Sequence, residues 1–408
     1  GSEMCIRDRC NVYFNFASKV YAKYYNTSDD SSITLDYAKL HGYSVDKITC
    51  DNNETATWNN EKWELETSNS ENDINCKVYF KSPTIKIANS SLSLSSNCPT
   101  VNSDGSVSIT YLQKTNSYLC AAQDAYGTSF YYRGNVTNNY VKFANFYWRI
   151  VRINGDGSIR LIYDGTSAHA NGESSTDRQV AKGVFNSSGN DNAYVGYMYG
   201  KLGASSYVET HANKNNSTIK TYLDNWYKNN IIATSNEMYV SDNIFCNDRT
   251  LVTRKPSDAH ITYGNLGYGK NSTPYRWYDD ASSSYNNKMK LTCSQKNDAF
   301  TVSDVTNGNG ALTYPIGLLS DDEIFLAGGW RSENNGFYLY TGQAWWTMSP
   351  YSYDDLESWA YVNILGSNGA TNYLSKVGGI VGAQDSGHGI RPVINLKANA
   401  LNLSLIHI

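Results

Sequence analysis

Eight cysteines constrain the fold of this 408-residue chain more than any other feature. They stand at positions 5, 10, 50, 76, 98, 120, 246 and 293. No two of them form a Cys-x-x-Cys pair, so their spacing does not favour a zinc site or a thioredoxin-like redox pair. Six fall instead into spaced pairs, and we predict the disulfides Cys50–Cys76, Cys98–Cys120 and Cys246–Cys293. Disulfides indicate an oxidising, extracellular setting.

The composition narrows the class of protein further. The net charge is −4 and only 18% of the residues are charged, so the chain lacks the basic stripe that a nucleic-acid partner requires. No apolar run approaches the ~18 residues of a membrane-spanning helix, and no membrane span is expected in this chain. The 34 tyrosines are accompanied by abundant asparagine, serine and glycine. This mixture is typical of β-rich secreted proteins and also of adaptable binding surfaces.

Both ends of the chain differ in character from the rest. Residues 1–9 and 403–408 resemble translated sequencing-adapter read-through, with a cloning scar as the alternative for Gly1 and Ser2. We expect both segments to be artefacts. The natural N-terminus is then expected to be missing, together with the disulfide partner of Cys10.

An internal repeat organises the N-terminal part of the chain. The sequences "CNVYFNF" at 10–16 and "CKVYFKS" at 76–82 are 66 residues apart. We therefore predict that residues 17–81 form one small all-β sandwich repeat, and that 10–16 is the last strand of a truncated preceding copy. Trp58 and Trp63 are assigned to the core of this repeat, with a carbohydrate-stacking platform as the alternative.

A larger domain is predicted over residues 98–402, after a Ser/Asn-rich linker or edge segment at 82–97. Residues 143–165 predict a hairpin, because two β-rich arms flank the turn sequence Asn-Gly-Asp-Gly at 154–157. This turn lacks the ligand spacing of an EF-hand calcium loop, so no metal is assigned to it.

Two helices are predicted in this domain. The first covers 216–231, capped by Asn216 or Ser217. Its apolar face is predicted to consist of Ile219, Tyr222, Leu223, Trp226 and Tyr227. The second covers 320–329, where Ser320 and Glu323 form a capping box and two glycines end the helix.

Several motifs in this order resemble one family. They are "FYWRIVRINGDGSIRLIYDGTSA", "STIKTYLDNWYKNN", "IFCNDR", "LTYPIGLLSDDEIFLAGG", "WWTMSPY" and "GIRPVINLK". Over roughly residues 120–400 the chain resembles bacterial surface proteins of unassigned function. Those proteins are related in fold to the C-type lectin-like domains of formylglycine-generating enzymes and of diversity-generating-retroelement variable proteins. The resemblance implies an α+β fold, with two helices around an irregular antiparallel sheet. It also implies that the loops between "WTMSP" and "RPV" form an exposed face, which binds ligands in the variable-protein branch.

The sequence lacks the residue patterns that oxidase, calcium-lectin and hydrolase chemistry require. Formylglycine-generating enzymes work through reactive C-terminal cysteines, and no cysteine follows Cys293. The calcium-lectin tripeptides EPN, QPD and WND are absent, and the acidic "YDDLE" at 353–357 is better explained as a solvated loop than as a metal site. No GxSxG or HExxH motif occurs, and His169 is expected to face solvent on a loop. We therefore predict no catalytic residues, no metal and no cofactor.

What remains is a predicted binding surface of aromatic and small polar residues between Pro350 and Gly389. Its candidate ligand-binding residues are Tyr351, Tyr353, Asp354, Asp355, Trp359, Asn368, Asn372, Tyr373, Asp385 and His388. Trp345 and Trp346 are assigned to the core, with a place in the site as the alternative. Arg391 is expected to be structural, held by a carboxylate or by backbone carbonyls.

The sequence thus predicts a non-enzymatic adhesin on the bacterial cell surface, with a β repeat before a lectin-like domain. Its partner is expected to be a protein or glycan on another cell or on a host. The competing hypotheses are a structural stalk or appendage subunit and a formylglycine-type oxidase. Side chains of the closing strand are expected to alternate between two faces. One face is Ile390, Pro392, Ile394 and Leu396, and the other is Arg391, Val393 and Asn395.

Overall fold

The chain has a mixed α+β structure, mostly sheet with few helices. The computed structural model describes residues 19–51, 54–67, 73–81, 84–87, 90–109, 117–250, 288–354, 358–371, 373–376, 387–397 and 400. It divides into two compact units, residues 1–83 and 84–408. None of the helices in these ranges has the length and apolar character needed to cross a bilayer.

The first unit contains one helix and two small sheets. Its elements are β1 (Val20–Asn26), α1 (Leu35–Leu40), β2 (Ser44–Cys50), β3 (Ala56–Asn59), β4 (Glu64–Thr67) and β5 (Ile74–Lys81). The strand order is β1-β5-β2, with β1 parallel and β2 antiparallel to β5, and β3 pairs with β4. The parallel pair brings the first and last of these strands side by side.

The prediction of an all-β sandwich is wrong for this unit, because α1 belongs to it. The Thr34 hydroxyl caps α1 by accepting the Tyr37 N–H, and Asp36 adds a favourable charge in the first turn. The helix buries Ala38 in the core. Six residues are too few to show a helical period in the sequence, which is why only the cap could have indicated it.

Phe80 forms the centre of this small core. The rings of Trp58 and Trp63 lie with their centroids 5.5 and 5.9 Å from that of Phe80. Both tryptophans therefore pack in the core, as predicted. The predicted disulfide Cys50–Cys76 joins β2 to β5 at directly paired positions.

The second unit begins with short strand pairs. The strands β6 (Thr84–Ile87) and β7 (Ser90–Ser93) form a hairpin within the predicted linker. They are followed by β8 (Thr100–Val101) and β9 (Val107–Ser108), which form a sheet with β19 (Lys288–Met289) in the order β19-β9-β8.

A six-stranded antiparallel sheet forms the centre of this unit. It consists of β10 (Tyr118–Asp124), β11 (Gly127–Arg133), β12 (Tyr140–Phe143), β13 (Phe146–Ile153), β14 (Ile159–Gly165) and β25 (Val393–Leu396). The order is β10-β11-β13-β14-β25, and β12 pairs with β13. The predicted hairpin is thus present as β13 and β14. Its turn requires Gly155, where a Cβ atom would lie 2.5 Å from the backbone nitrogen of Gly127.

A second sheet has the order β15-β24-β21-β22-β23. Its strands are β15 (Ala181–Gly183), β21 (Trp345–Asp354), β22 (Trp359–Leu365), β23 (Tyr373–Lys376) and β24 (His388–Ile390). Two further pairs are β16 (Met198–Tyr199) with β17 (Asn215–Asn216), and β18 (Phe245–Cys246) with β20 (Ala299–Phe300).

Both predicted helices are present, beside the short α2 (Tyr207–Thr210). Helix α3 (Thr218–Tyr227) is capped by Ser217 and continues into one π-helical turn, Lys228–Ile232. Tyr222 is 36% exposed and does not belong to the buried face predicted for it. Lys220 is buried instead, which is tolerable because its ammonium group lies 2.6 Å from the Asp224 carboxylate one turn later. Helix α4 (Asp321–Ala327) has the predicted capping box.

The closing strand β25 is buried on both faces, so the alternation of its side chains leaves no exposed face. Val393, Ile394, Asn395 and Leu396 are all buried. One edge of β25 pairs with β14, while Leu396 and Val393 form bridges to Val240 and Gly317 on the other side. Trp345 and Trp346 are also buried, as predicted for core residues.

Candidate functional site

The structure describes five of the ten predicted ligand-binding residues with their side chains. These are Tyr351, Tyr353, Trp359, Asn368 and His388, and all five are half-buried. Asp354 ends β21 and Tyr373 begins β23, but only their strand positions are described. Asp355, Asn372 and Asp385 lie outside the described residues.

Those of the predicted residues that the structure describes do not form one cluster. Trp359 pairs with Asp354 at one end of the β21–β22 hairpin. His388 lies at the other end, because the next residue, Gly389, pairs with Trp345. Strand β22 runs between these ends, and six residue steps of about 3.3 Å separate them by roughly 20 Å. Any ligand contacting both ends would have to span the length of the strand.

Asn368 shapes a turn. Its side-chain oxygen accepts the Ala370 N–H at 3.1 Å, and its backbone carbonyl accepts the Asn334 N–H at 3.2 Å. The neighbouring Gly369 has a φ of 79°, and a Cβ atom there would collide with the Asn334 carbonyl. These contacts give Asn368 a structural role, because it holds two loops in close contact.

His388 packs on a core tryptophan. Its ring centroid lies 4.9 Å from that of Trp346 in an edge-to-face arrangement. The Trp346 indole in turn donates to the Gly183 carbonyl at 2.8 Å, and Gly183 pairs with His388 between β15 and β24. The imidazole is therefore part of the sheet packing at this edge.

At the end of the hairpin where Trp359 pairs with Asp354, aromatic residues and one asparagine form a surface. We name it the hairpin-end surface: Tyr351, Tyr353, Trp359, Tyr361 and Asn190. The loop that carries Asn190 is fixed to the hairpin at two points. Tyr353 donates its hydroxyl to the Asn190 carbonyl at 3.3 Å, and the Ala360 N–H donates to the Gly189 carbonyl at 2.7 Å. Asn190 itself is exposed. Burial raises the pKa of Tyr351 to about 12, so its hydroxyl remains a neutral hydrogen-bonding group.

Sequence reasoning missed the strongest polar feature of the second unit, a fully buried carboxylate with three arginines. Asp164 contacts Arg178 at 2.9 Å, Arg391 at 2.8 Å and Arg149 at 3.2 Å. The Tyr140 hydroxyl donates to it at 2.7 Å. Burial alone would raise the pKa of Asp164, but the three guanidinium charges outweigh it and hold the pKa below its usual value.

Arg391 is held in both of the expected ways. Besides Asp164, it donates from Nε to the Tyr163 carbonyl and from Nη1 to the Leu339 carbonyl, each at 3.1 Å. It therefore connects the segment between β24 and β25 to the end of β14. None of these three partners lies near Arg391 in sequence, so no local pattern could identify them.

A second buried cluster surrounds Glu323 of α4. Its carboxylate lies 2.5 Å from Arg160 and 3.3 Å from Arg152, and Arg152 also contacts Asp124 at 3.0 Å. The cavity beside Arg152 and Arg160 has a volume of about 10 Å³, enough for a single water molecule. It is too small to admit a substrate.

His169 is buried, so its expected position on a solvent-facing loop is wrong. Glu173 lies 2.9 Å from its Nδ1 and Asp177 lies 2.8 Å from its Nε2. The Ser167 hydroxyl is 3.4 Å from the same Nε2. Burial alone would raise the pKa of Asp177. Hydrogen bonds from His169, Thr166 and Ser167 outweigh it and lower that pKa to about 2. Carboxylates thus face both ring nitrogens, whereas in a hydrolytic triad one nitrogen faces the carboxylate and the other faces the nucleophile.

No group of three or more histidine, cysteine, aspartate or glutamate side chains in the described ranges is arranged to hold a metal ion. No known protein family matches the chain, and no curated protein or solved structure is significantly similar to it.

Proposed function

We propose that this chain is a non-catalytic bacterial surface protein whose second unit has a C-type lectin-like fold and binds a protein or glycan. The hairpin-end surface is the proposed contact area. It combines rings of Tyr351, Tyr353 and Trp359 with the exposed amide of Asn190, the mixture of aromatic anchors and adaptable polar groups that binding surfaces use.

This proposal depends mainly on the hydrogen bonds that hold the hairpin-end surface in place. The Tyr353–Asn190 and Ala360–Gly189 hydrogen bonds fix a loop against the hairpin before any ligand arrives. Buried ion pairs and two disulfides hold the rest of the unit. A surface that is already ordered loses little conformational entropy on binding.

Two further features support the lectin-like and non-catalytic parts of the proposal. The closing strand β25 pairs antiparallel with β14, and an irregular antiparallel sheet is what the resemblance to lectin-like domains implies. Cys246 and Cys293 are joined in a disulfide, which leaves neither of them available as the reactive thiol that a formylglycine-type oxidase needs.

The proposal is tested by screening the complete chain on glycan arrays and on bacterial and host cells, and then comparing variants against any ligand found. Trp359→Ala is expected to weaken binding about tenfold, as for an aromatic anchor of an interface. Val208→Ala serves as the control, because Val208 is 76% exposed and lies on α2, outside this surface.

Near-ultraviolet circular dichroism of both variants is the check that the native packing is kept. Absence of binding to every glycan and cell type would contradict the proposal and favour the structural stalk. Equal binding by Trp359→Ala and the parent chain would also contradict it.

A further inference from the structure

The sheet of the first unit presents one face to the core and leaves the other open. Because side chains alternate along a strand, Ala22, Tyr24, Val78 and Phe80 point inward. The intervening residues of β1 and β5 point outward, joined by Lys47 of β2. We name this outer set the tyrosine–lysine face: Tyr21, Lys23, Tyr25, Lys47, Lys77 and Tyr79.

Register places these side chains in two rows across the sheet. One row contains Tyr25, Tyr79 and Lys47, and the next contains Lys23 and Lys77. Tyr21 is 50% exposed and continues the line of β1. The three lysines are also exposed. The face is therefore open to solvent over three neighbouring strands.

The rings of this face hold its ammonium groups in place. Tyr25 and Tyr79 stack with their centroids 5.6 Å apart. The Lys47 ammonium lies 4.2 Å above the Tyr79 ring, and the Lys77 ammonium lies 5.8 Å from the Tyr25 ring. Such cation–π contacts orient a positive charge without neutralising it.

In the described part of the first unit, no ion pair neutralises the charges of this face. Lys23 and Lys77 stand directly opposite each other, an arrangement that destabilises a sheet through like-charge repulsion. In the described part of the chain, ion pairs of the first unit involve Lys62 with Glu64 and Glu66 and do not reach this face. The Asp51 carboxylate, directly after β2, already accepts two hydrogen bonds from Asn75.

We propose that the tyrosine–lysine face binds an acidic polysaccharide. Tyrosine rings pack against the apolar faces of sugar rings, while lysines bind carboxylate or sulfate groups as point charges. An anionic polymer lying along the rows relieves the repulsion between Lys23 and Lys77. This site is on the first unit and does not depend on the function proposed for the second.

The test measures binding of the complete chain to heparin as a sulfated probe, polygalacturonate as a carboxylated probe and dextran as a neutral one. The chain is expected to bind at least one acidic probe and not dextran. The double variant Lys23→Gln/Lys77→Gln is expected to weaken binding about tenfold and to reduce its salt dependence. Its unfolding temperature is expected to be unchanged or higher, because the repulsion is removed.

The matched control is Lys39→Gln/Lys62→Gln, which removes the same charge from other exposed positions of the same unit. It is expected to keep the parent affinity. Tyr21→Ser leaves the charge intact and is expected to weaken binding about threefold through loss of ring contact.

Three results would overturn the proposal. One is an equal loss of affinity in the two double variants, which would show a general charge effect. Another is binding to dextran as strong as to the acidic probes, or to no probe. The third is tighter binding to single-stranded DNA than to either acidic polysaccharide.

Discussion

Single residues in the second unit show when local sequence is enough to predict the role and the partners of a side chain, and when it is not. The role of Arg391 could be predicted, because no nucleophile or metal ligand lies beside it in sequence. Its partner could not be predicted, since Asp164 lies 227 residues earlier. His169 differs, because both of its partners lie within eight residues in the sequence "HANGESSTD". The acidic residues after His169 were the signal that should have argued against a solvent-facing position.

His211 makes the stability of the second unit depend on pH. It is 1% exposed and packs against Tyr207 with ring centroids 3.9 Å apart. Burial, with a smaller contribution from Arg249, lowers the pKa of His211 to about 2. The unfolded chain binds a proton at this histidine below about pH 6.5, whereas the folded chain does not. Stability therefore falls as the pH falls from about 6.5 towards 2, by roughly 1.4 kcal/mol per pH unit.

We expect His211→Phe to remove this contribution while keeping a ring against Tyr207. The loss of unfolding free energy between pH 7 and pH 5 should become smaller by about 2 kcal/mol. Urea denaturation followed by tryptophan fluorescence at the two pH values measures this difference. Val208→Ala provides the control and should keep the parent pH dependence. The prediction is wrong if His211→Phe also keeps it.

At the scale of elements, local sequence predicts a helix where an apolar period extends over several turns or where a complete capping box is present. Helix α3 follows its apolar period, and α4 follows its capping box. Local sequence does not predict the six-residue α1, which is too short to show a helical period. It predicts a linker or edge segment where β6 and β7 form a hairpin, because that stretch is rich in serine and asparagine. The hairpin-end surface depends on Asn190 and Gly189, which no pattern in 351–388 could indicate.

The capping box of α4 has a second use, because its Glu323 also belongs to a buried ion-pair cluster. The Ser320 hydroxyl accepts the Glu323 N–H at 3.4 Å, and the Glu323 carboxylate accepts the Ser320 N–H at 2.9 Å. We expect Ser320→Ala to lower the unfolding free energy by about 1–2 kcal/mol, at the upper end of a typical cap because Glu323 also loses support.

Chemical denaturation of Ser320→Ala and of the exposed control Ser205→Ala measures this effect. The control should change the unfolding free energy by less than about 0.5 kcal/mol. Equal stabilities of the two variants would show that the cap contributes nothing beyond the ion pairs.

At the scale of the whole chain, the three disulfides were predicted from spacing alone and are all present. The clusters of buried arginines were not predicted, since their members come from distant strands that only the folded sheets bring together. Asp164 is the most connected of these groups. It joins β13 through Arg149, the turn after Ser175 through Arg178, and the segment between β24 and β25 through Arg391.

We expect Asp164→Asn to lower the unfolding free energy of the second unit by about 3–5 kcal/mol, because three buried guanidinium groups lose their charged partner. The amide keeps the shape of the side chain, so the loss reports charge more than packing. Thermal and urea unfolding measure it, with Glu237→Gln as an exposed control that removes the same charge. A loss below about 1 kcal/mol, the range of surface ion pairs, would show that backbone carbonyls alone satisfy the arginines.

The parallel pairing of β1 with β5 determines how the first unit bears tension. Val20 lies beside Ile74 and Asn26 beside Phe80, so the chain enters and leaves this strand pair at opposite ends. A pull on the chain at these two points acts along the strands and loads their hydrogen bonds in shear, together instead of one after another. Once the pair has separated, the Cys50–Cys76 bond still keeps the residues between these cysteines from extending. The arrangement is that of a mechanical clamp with a covalent limit on its extension.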